Sequence, residues 1–122
     1  MTAGYFIKNL NLKPHPEGGF FKETYRSAGK IPVNALPDRF NGDRNFSTSI
    51  YFLLPHGTFS AFHRIKSDEG WHFYEGNTLL IHIINTDGVY ECVKLGKDLE
   101  AGEVLQYVVP AEAWFASEPE QK

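Results

Sequence analysis

Gly57-Thr58-Phe59-Ser60-Ala61-Phe62-His63-Arg64-Ile65-Lys66-Ser67-Asp68-Glu69-Gly70-Trp71-His72-Phe73-Tyr74-Glu75-Gly76 is the stretch on which the reading of this chain turns. Aromatic and β-branched residues dominate both arms. Thr58 to Ile65 predicts one strand and Trp71 to Tyr74 the next, with a polar turn between them and Glu75-Gly76-Asn77 ending the second,. In a β-barrel, alternate residues of each strand point inward. A strand-turn-strand with His63 on one arm, and Glu69 and His72 on the other, can therefore converge an imidazole and a carboxylate inside the barrel. Such a pairing makes a general base near neutral pH, or part of a metal site. Taken singly, His63 reads as a satisfied or surface strand histidine and Asp68-Glu69 as a solvated turn. Only the combination points to chemistry.

The rest of the chain has the same rhythm. Ala3 to Leu10 predicts one short helix, with Phe6 and Leu10 on a shared face,. Pro14-His15-Pro16-Glu17-Gly18-Gly19 turns into a strand over Phe20 to Arg26, and residues 27–46 read as a long irregular loop,. Ser47 to Leu54, Thr78 to Asn85, Val89 to Leu95, Glu103 to Val109 and Trp114 to Ser117 predict further strands,. Asp87-Gly88 marks a hairpin between two of them,. Strands recurring every 8–12 residues, with Gly and Pro between them, mean a sandwich or barrel.

Composition narrows the classes. The 122 residues predict one domain, with residues 118–122 as a tail,. Ten Phe and six Tyr supply ample core, and a net charge of −3 with scattered basic residues argues against a nucleic-acid partner,. The apolar stretches reach only strand length, so no membrane is expected, and a cytoplasmic location fits the single cysteine,. That residue, Cys92, falls in a strand and reads as a buried, inert thiol,. The chain lacks zinc-finger spacing, a His-Glu-x-x-His pair and a Gly-x-Ser-x-Gly elbow,.

The spacing also carries a resemblance. Gly57, His63, Glu69 and Gly76 stand in the register of the first cupin motif (Gly, five residues, His-x-His, three or four residues, Glu, six residues, Gly), with Ile65 at its second histidine. Gly102 and Pro110 resemble the second motif loosely; Glu112 replaces its glycine and Phe115 its histidine. With His15 to Ser27, Ser47 to Leu54 and Pro110 to Trp114, the chain resembles a small cupin family of unassigned function, similar in fold to dTDP-sugar 3,5-epimerases and seed storage proteins. The resemblance implies an all-β double-stranded β-helix, the cupin jelly-roll barrel, behind a short N-terminal helix, commonly as a homodimer. It also implies a further strand pair beyond the Trp114 segment. Its pocket would be lined by His63, Glu69, His72, Tyr74 and Trp114, with Arg26 and Tyr51 at the rim.

The functional expectation is a small polar metabolite bound in that pocket. As an isomerase or epimerase, the protein would use His63 as the base, Glu69 to orient it, and Tyr74 or Tyr51 to return a proton. His72, Trp114, Tyr51, Arg26 and Glu17 would bind the ligand. The alternatives are a non-catalytic binding cupin and a metal-dependent cupin enzyme. No cofactor is expected: His63 and Glu69 alone would hold a divalent metal only weakly, because tight sites need three or more protein ligands. The glycines after Glu17, the strand-end Arg26, Trp71 and Trp114, and His82 each also have a purely structural reading as turn, surface or core residues.

Overall fold

The computed structural model describes residues 1–121, and its contacts divide them into two compact units. The first comprises residues 1–15 and 20–53; the second comprises residues 16–19 and the chain from Leu54 onward.

In the first unit, α1 (Ala3–Asn9) starts where Thr2 Oγ1 accepts the Tyr5 N–H at 3.1 Å. That satisfies one of the amides a helix start leaves without an intrahelical partner. Strand β1 (Lys13–Pro14) pairs antiparallel with β2 (Phe20–Arg26). The segment read as an irregular loop holds a short ribbon, β3 (Lys30–Ile31) against β4 (Arg44–Asn45), and a 3-10 turn over Val33–Ala35. Strand β5 (Thr48–Leu53) completes the sheet in the order β1-β2-β5. His15 is a packing residue, edge-on to Phe21 and Phe52 at 5.1 and 5.4 Å between ring centres.

The second unit carries β6 (Ser60–His63), β7 (Glu69–His72), β8 (Leu79–Ile84), β9 (Tyr90–Leu95), β10 (Gln106–Val109) and β11 (Trp114–Pro119). Four of these form an antiparallel sheet in the order β6-β11-β8-β9, and β7 pairs with β10 in a separate ladder. Register decides what each face holds. Phe115 lies opposite Ile83, and Ser117 opposite Ile81, which in turn faces Val93. These residues point inward with Val109 of β10, and Trp71 and Tyr107 pack against them. The core of this unit therefore sits between the sheet and the ladder. The other face of the sheet presents Trp114, Ala116 and Glu118 of β11 beside His82 and Cys92.

The β8–β9 hairpin forms at the expected place. Asn85 Oδ1 accepts the Asp87 and Val89 amides at 2.9 Å each, and Gly88 supplies φ +80°. Two expectations change. The reading placed a tail at 118–122, but β11 runs through Pro119, and the Glu120 amide donates to the Thr78 carbonyl at 2.8 Å. The last position of that tail, Lys122, lies outside the described residues. Cys92 is exposed rather than buried, because it alternates outward beside inward-facing Val93 on an edge strand,.

On the β6 edge, the Ala61 N–H donates to the Glu17 carbonyl at 2.8 Å. This contact explains the two glycines that follow, which hold φ of +119° and +77°. A Cβ on Gly18 would meet the Phe59 carbonyl oxygen, and backbone cannot swing aside. Gly18→Ala is expected to destabilise the fold by more than about 2 kcal/mol, since left-handed backbone costs an alanine about 1–2 kcal/mol before the clash is counted. Gly57→Ala, at φ +79° with open space around it, should show the conformational cost alone. Urea midpoints of the two variants test this; equal shifts would reject the clash.

β-Bulge geometry marks the pairing of β6 with β11. Three steps from Ser60 to His63 run against two steps from Ser117 to Phe115,.

Candidate functional site

The ladder partner of β7 moves one key residue from turn to strand. The sequence started this strand at Trp71, yet Val109 of β10 pairs with Glu69, so Glu69 opens it. Alternation then sends Glu69 and Trp71 to one face and Gly70 and His72 to the other,. Tyr107, opposite Trp71, and Val109, opposite Glu69, share the inward face.

His63 reaches the same interior from β6. Its ring lies 4.3 Å from the Phe115 ring, tilted by 51°, and the Trp71 indole stands edge-on to Phe115 at 6.4 Å. His63 Nδ1 is 2.8 Å from the Ala61 carbonyl oxygen. A carbonyl only accepts, so Nδ1 carries a proton, and in the neutral form of the ring the lone pair is therefore on Nε2. Glu69 feels this histidine. Burial pushes its carboxyl above the usual glutamate range, while His63 and the Trp71 indole pull it partway back. A half-buried carboxyl and an imidazole with a defined tautomer thus come together from opposing strands.

A carboxyl whose folded pKa is raised stabilises the fold at low pH and loses that contribution as pH rises through the folded value. Here the folded state binds the proton more tightly than the unfolded chain does. Glu69→Gln is therefore expected to gain stability over the wild type at neutral pH, the gap closing below about pH 4, where both states of the wild type are protonated. Urea denaturation at both pH values checks the sign.

The other expected site residues are scattered. His72 is exposed on the far face of β7 from Glu69. Tyr74 lies just past that strand and is 75% exposed. Trp114 points away from Phe115, to the outer face, where the Arg64 guanidinium lies 5.4 Å over its ring. Glu17 contributes its backbone carbonyl to the β6 edge. Arg26 and Tyr51 belong to the first unit. There the Arg26 guanidinium donates to both Glu23 carboxylate oxygens and, at 2.9 Å, to Asn45 Oδ1, and Tyr51 faces Lys22 across the β2–β5 pair. Arg26 holds the exposed Glu23 carboxyl below its ordinary range.

Two residues beside the interior, half-buried Tyr107 and exposed Glu91, carry no signal in the sequence. Tyr107 donates its hydroxyl to Glu91 Oε1 at 3.0 Å, and burial followed by Glu91 makes the phenol hold its proton more firmly. Only the β7–β10 register, which sets Tyr107 opposite Trp71, would have revealed it. Across the four-stranded sheet the inward row runs His63, Phe115, Ile83, Glu91. At about 4.8 Å per strand, Glu91 and the tyrosine bound to it sit about 14 Å along that row from His63.

One family model spans residues 4–122. The chain belongs to the Cupin superfamily (DUF985). This cupin is similar to the uncharacterized protein YML079W of Saccharomyces cerevisiae, at 34% identity over 91% of the chain. It spans 58% of the length of that relative. Among solved structures it is similar to a hypothetical protein from Leishmania major, with a TM-score of 0.87 and 40% identity over 97% of the chain and 70% of the other. Protein SO0799 from Shewanella oneidensis gives a TM-score of 0.87 and 39% identity, covering all of this chain and 72% of that one. The all-β cupin fold is thereby established.

Metal ligation, common among cupins, does not fit these residues. Ile65 packs against the core, and Phe115 is 1% exposed within it, at the two motif positions where histidines would bind. The described residues gather no group of three His, Cys, Asp or Glu side chains able to hold an ion. At the third departure from the motifs, Glu112 occupies the glycine position with φ +71°, a left-handed conformation that costs a side-chain-bearing residue about 1 kcal/mol or more,. Its turn is held by the Glu112 amide on the Ile65 carbonyl at 2.9 Å and the Ala111 amide on Asp68 Oδ1 at 2.8 Å. The Glu112 carboxylate lies 3.7 Å from Arg64 Nε, the same arginine that covers Trp114.

Proposed function

We propose that this cupin binds a small polar metabolite against His63 and Glu69 and moves a proton on it, with His63 Nε2 as the base. The observation that carries the reading is the Nδ1–H bond to the Ala61 carbonyl, because it aims a lone pair rather than a proton away from the strand. Glu69 supports it in two ways. Ionised, it stabilises the imidazolium that forms; neutral, its carboxylic acid can donate to a developing enolate oxygen. The chemistry suited to this pair is abstraction of a proton alpha to a carbonyl.

The tyrosine arm of an epimerase finds less support. Tyr74 is largely exposed, and Tyr107 is engaged by Glu91 at the far side of the inward row. The geometry favours a one-base isomerisation of an alpha-hydroxy ketone, in which His63 takes the proton from the hydroxyl-bearing carbon and returns it on the same face to the former carbonyl carbon, while Glu69 passes a proton between the two oxygens. The direct test incubates the protein in D2O with a panel of nucleotide-linked keto sugars and small keto acids, followed by proton NMR. Deuterium should enter the alpha position of at least one of them without inversion. Inverted product would point to a second acid and reject the one-base form; binding without exchange would leave a non-catalytic ligand carrier.

A further inference from the structure

The outer face of the four-stranded sheet holds a second arrangement that the proposed chemistry does not use. An open groove of about 530 Å³ runs over β6, β11 and β8. Its floor is low because Ala61 and Ala116 occupy neighbouring strands there. One wall is Phe59 and Phe62, which are 65% and 47% exposed. The opposite wall is His82 and Glu118. Hydrogen bonding orders that wall. The Glu118 carboxylate only accepts, so His82 Nε2–H donates to its Oε2 at 2.7 Å,. His82 Nδ1 lies 2.8 Å from the Tyr90 hydroxyl and, in the neutral ring, accepts from it,.

Both imidazole nitrogens are thus used within the protein, whereas the second Glu118 oxygen still has acceptor capacity. Its side chain is 44% exposed. The cations on this face are paired elsewhere: Arg64, over Trp114 four residues before Glu118 on β11, lies 3.7 Å from Glu112. Lys94 lies two strands away across Leu80, about 9.6 Å along the row, and pairs with Glu120 at 3.4 Å,. Cys92 and Tyr90, on the neighbouring strand, carry no positive charge.

We propose that this groove is a binding site for a small organic ammonium ion. Its apolar body lies on the alanine floor against Phe59 and Phe62, and its nitrogen donates to Glu118. The volume is that of a small-molecule pocket, and aromatic faces beside a carboxylate are what a cation with an apolar body prefers. The site is separate from the His63–Glu69 pair, which faces the other side of the same sheet.

Three probes of matched shape test it by NMR titration: phenethylammonium, 2-phenylethanol and phenylacetate. Phenethylammonium should bind saturably and shift the Ala61 and Ala116 methyl signals, with the other two at least ten-fold weaker. Glu118→Gln should weaken the ammonium at least ten-fold while the far-UV circular dichroism stays unchanged. Similar affinity for all three probes, undisturbed alanine methyls or an unaffected Glu118→Gln variant would each overturn the proposal. So would dilution-dependent shifts of the same methyls, which would give the groove to a second copy of the chain. The comparison of probes on the wild type needs no variant to fold.

Discussion

His63→Ala is expected to lower alpha-proton exchange by about 10²- to 10⁴-fold, the usual contribution of a positioned general base. The loss should fall on the chemical step, because Nε2 does its work only when the proton moves. His63→Gln separates the two contributions of the ring. Its amide can still donate to the Ala61 carbonyl and keep β6 in order, but it has no basic nitrogen. It should match His63→Ala in exchange and the wild type in urea midpoint. Exchange that survives in both variants, on a substrate the wild type turns over, would remove His63 from the mechanism.

Phe115→Ala should cost about 3–5 kcal/mol of folding stability, the range for truncating a buried aromatic ring. Phe115 is 1% exposed and lies opposite both His63 and Ile83 in the sheet. Its ring also meets Trp71 of the β7–β10 ladder, so the void would open where the two strand layers of the second unit meet. Phe115→Leu fills most of that space and should lose much less. Chemical denaturation measures both. A loss of under 1 kcal/mol in the alanine variant would mean that the layers can close over the gap. Because His63 packs on this ring, proton exchange in Phe115→Leu should also drop, by a smaller factor than in His63→Ala.

Much of this architecture could be read from residue order because its signals are local. Phe20–Arg26 was bounded correctly by Gly19 before it and Ser27 after it, and the β8–β9 hairpin announced itself through Asp87-Gly88. The Gly57–Gly76 register pointed to the cupin family that the family comparison bears out. What failed to show depends on partners far away in the chain. Glu69 joins a strand only because Val109 pairs with it, and that pairing turns His72 outward. The inward tyrosine, Tyr107, is selected by its place opposite Trp71 rather than by any motif. Trp114 looked like pocket wall, yet its neighbour Phe115 takes the inward position and alternation leaves the indole outside. Arg26 looked available for a ligand anion, and Glu23, three residues earlier, had already claimed it.

The β-bulge between Ser60 and His63 has a consequence for how relatives of this chain can drift in length. Strict alternation would place residues three apart on opposite sides, and the extra residue is what lets Ser117 face Ser60 while Phe115 faces His63,. A descendant that lost Ala61 or Phe62 would straighten the strand and still deliver its histidine to the interior, since two steps of plain alternation lead to the same side. A one-residue gap at this place in an otherwise similar sequence is therefore compatible with the same inward imidazole, and the histidine should be matched by its ladder partner rather than by counting from the glycine.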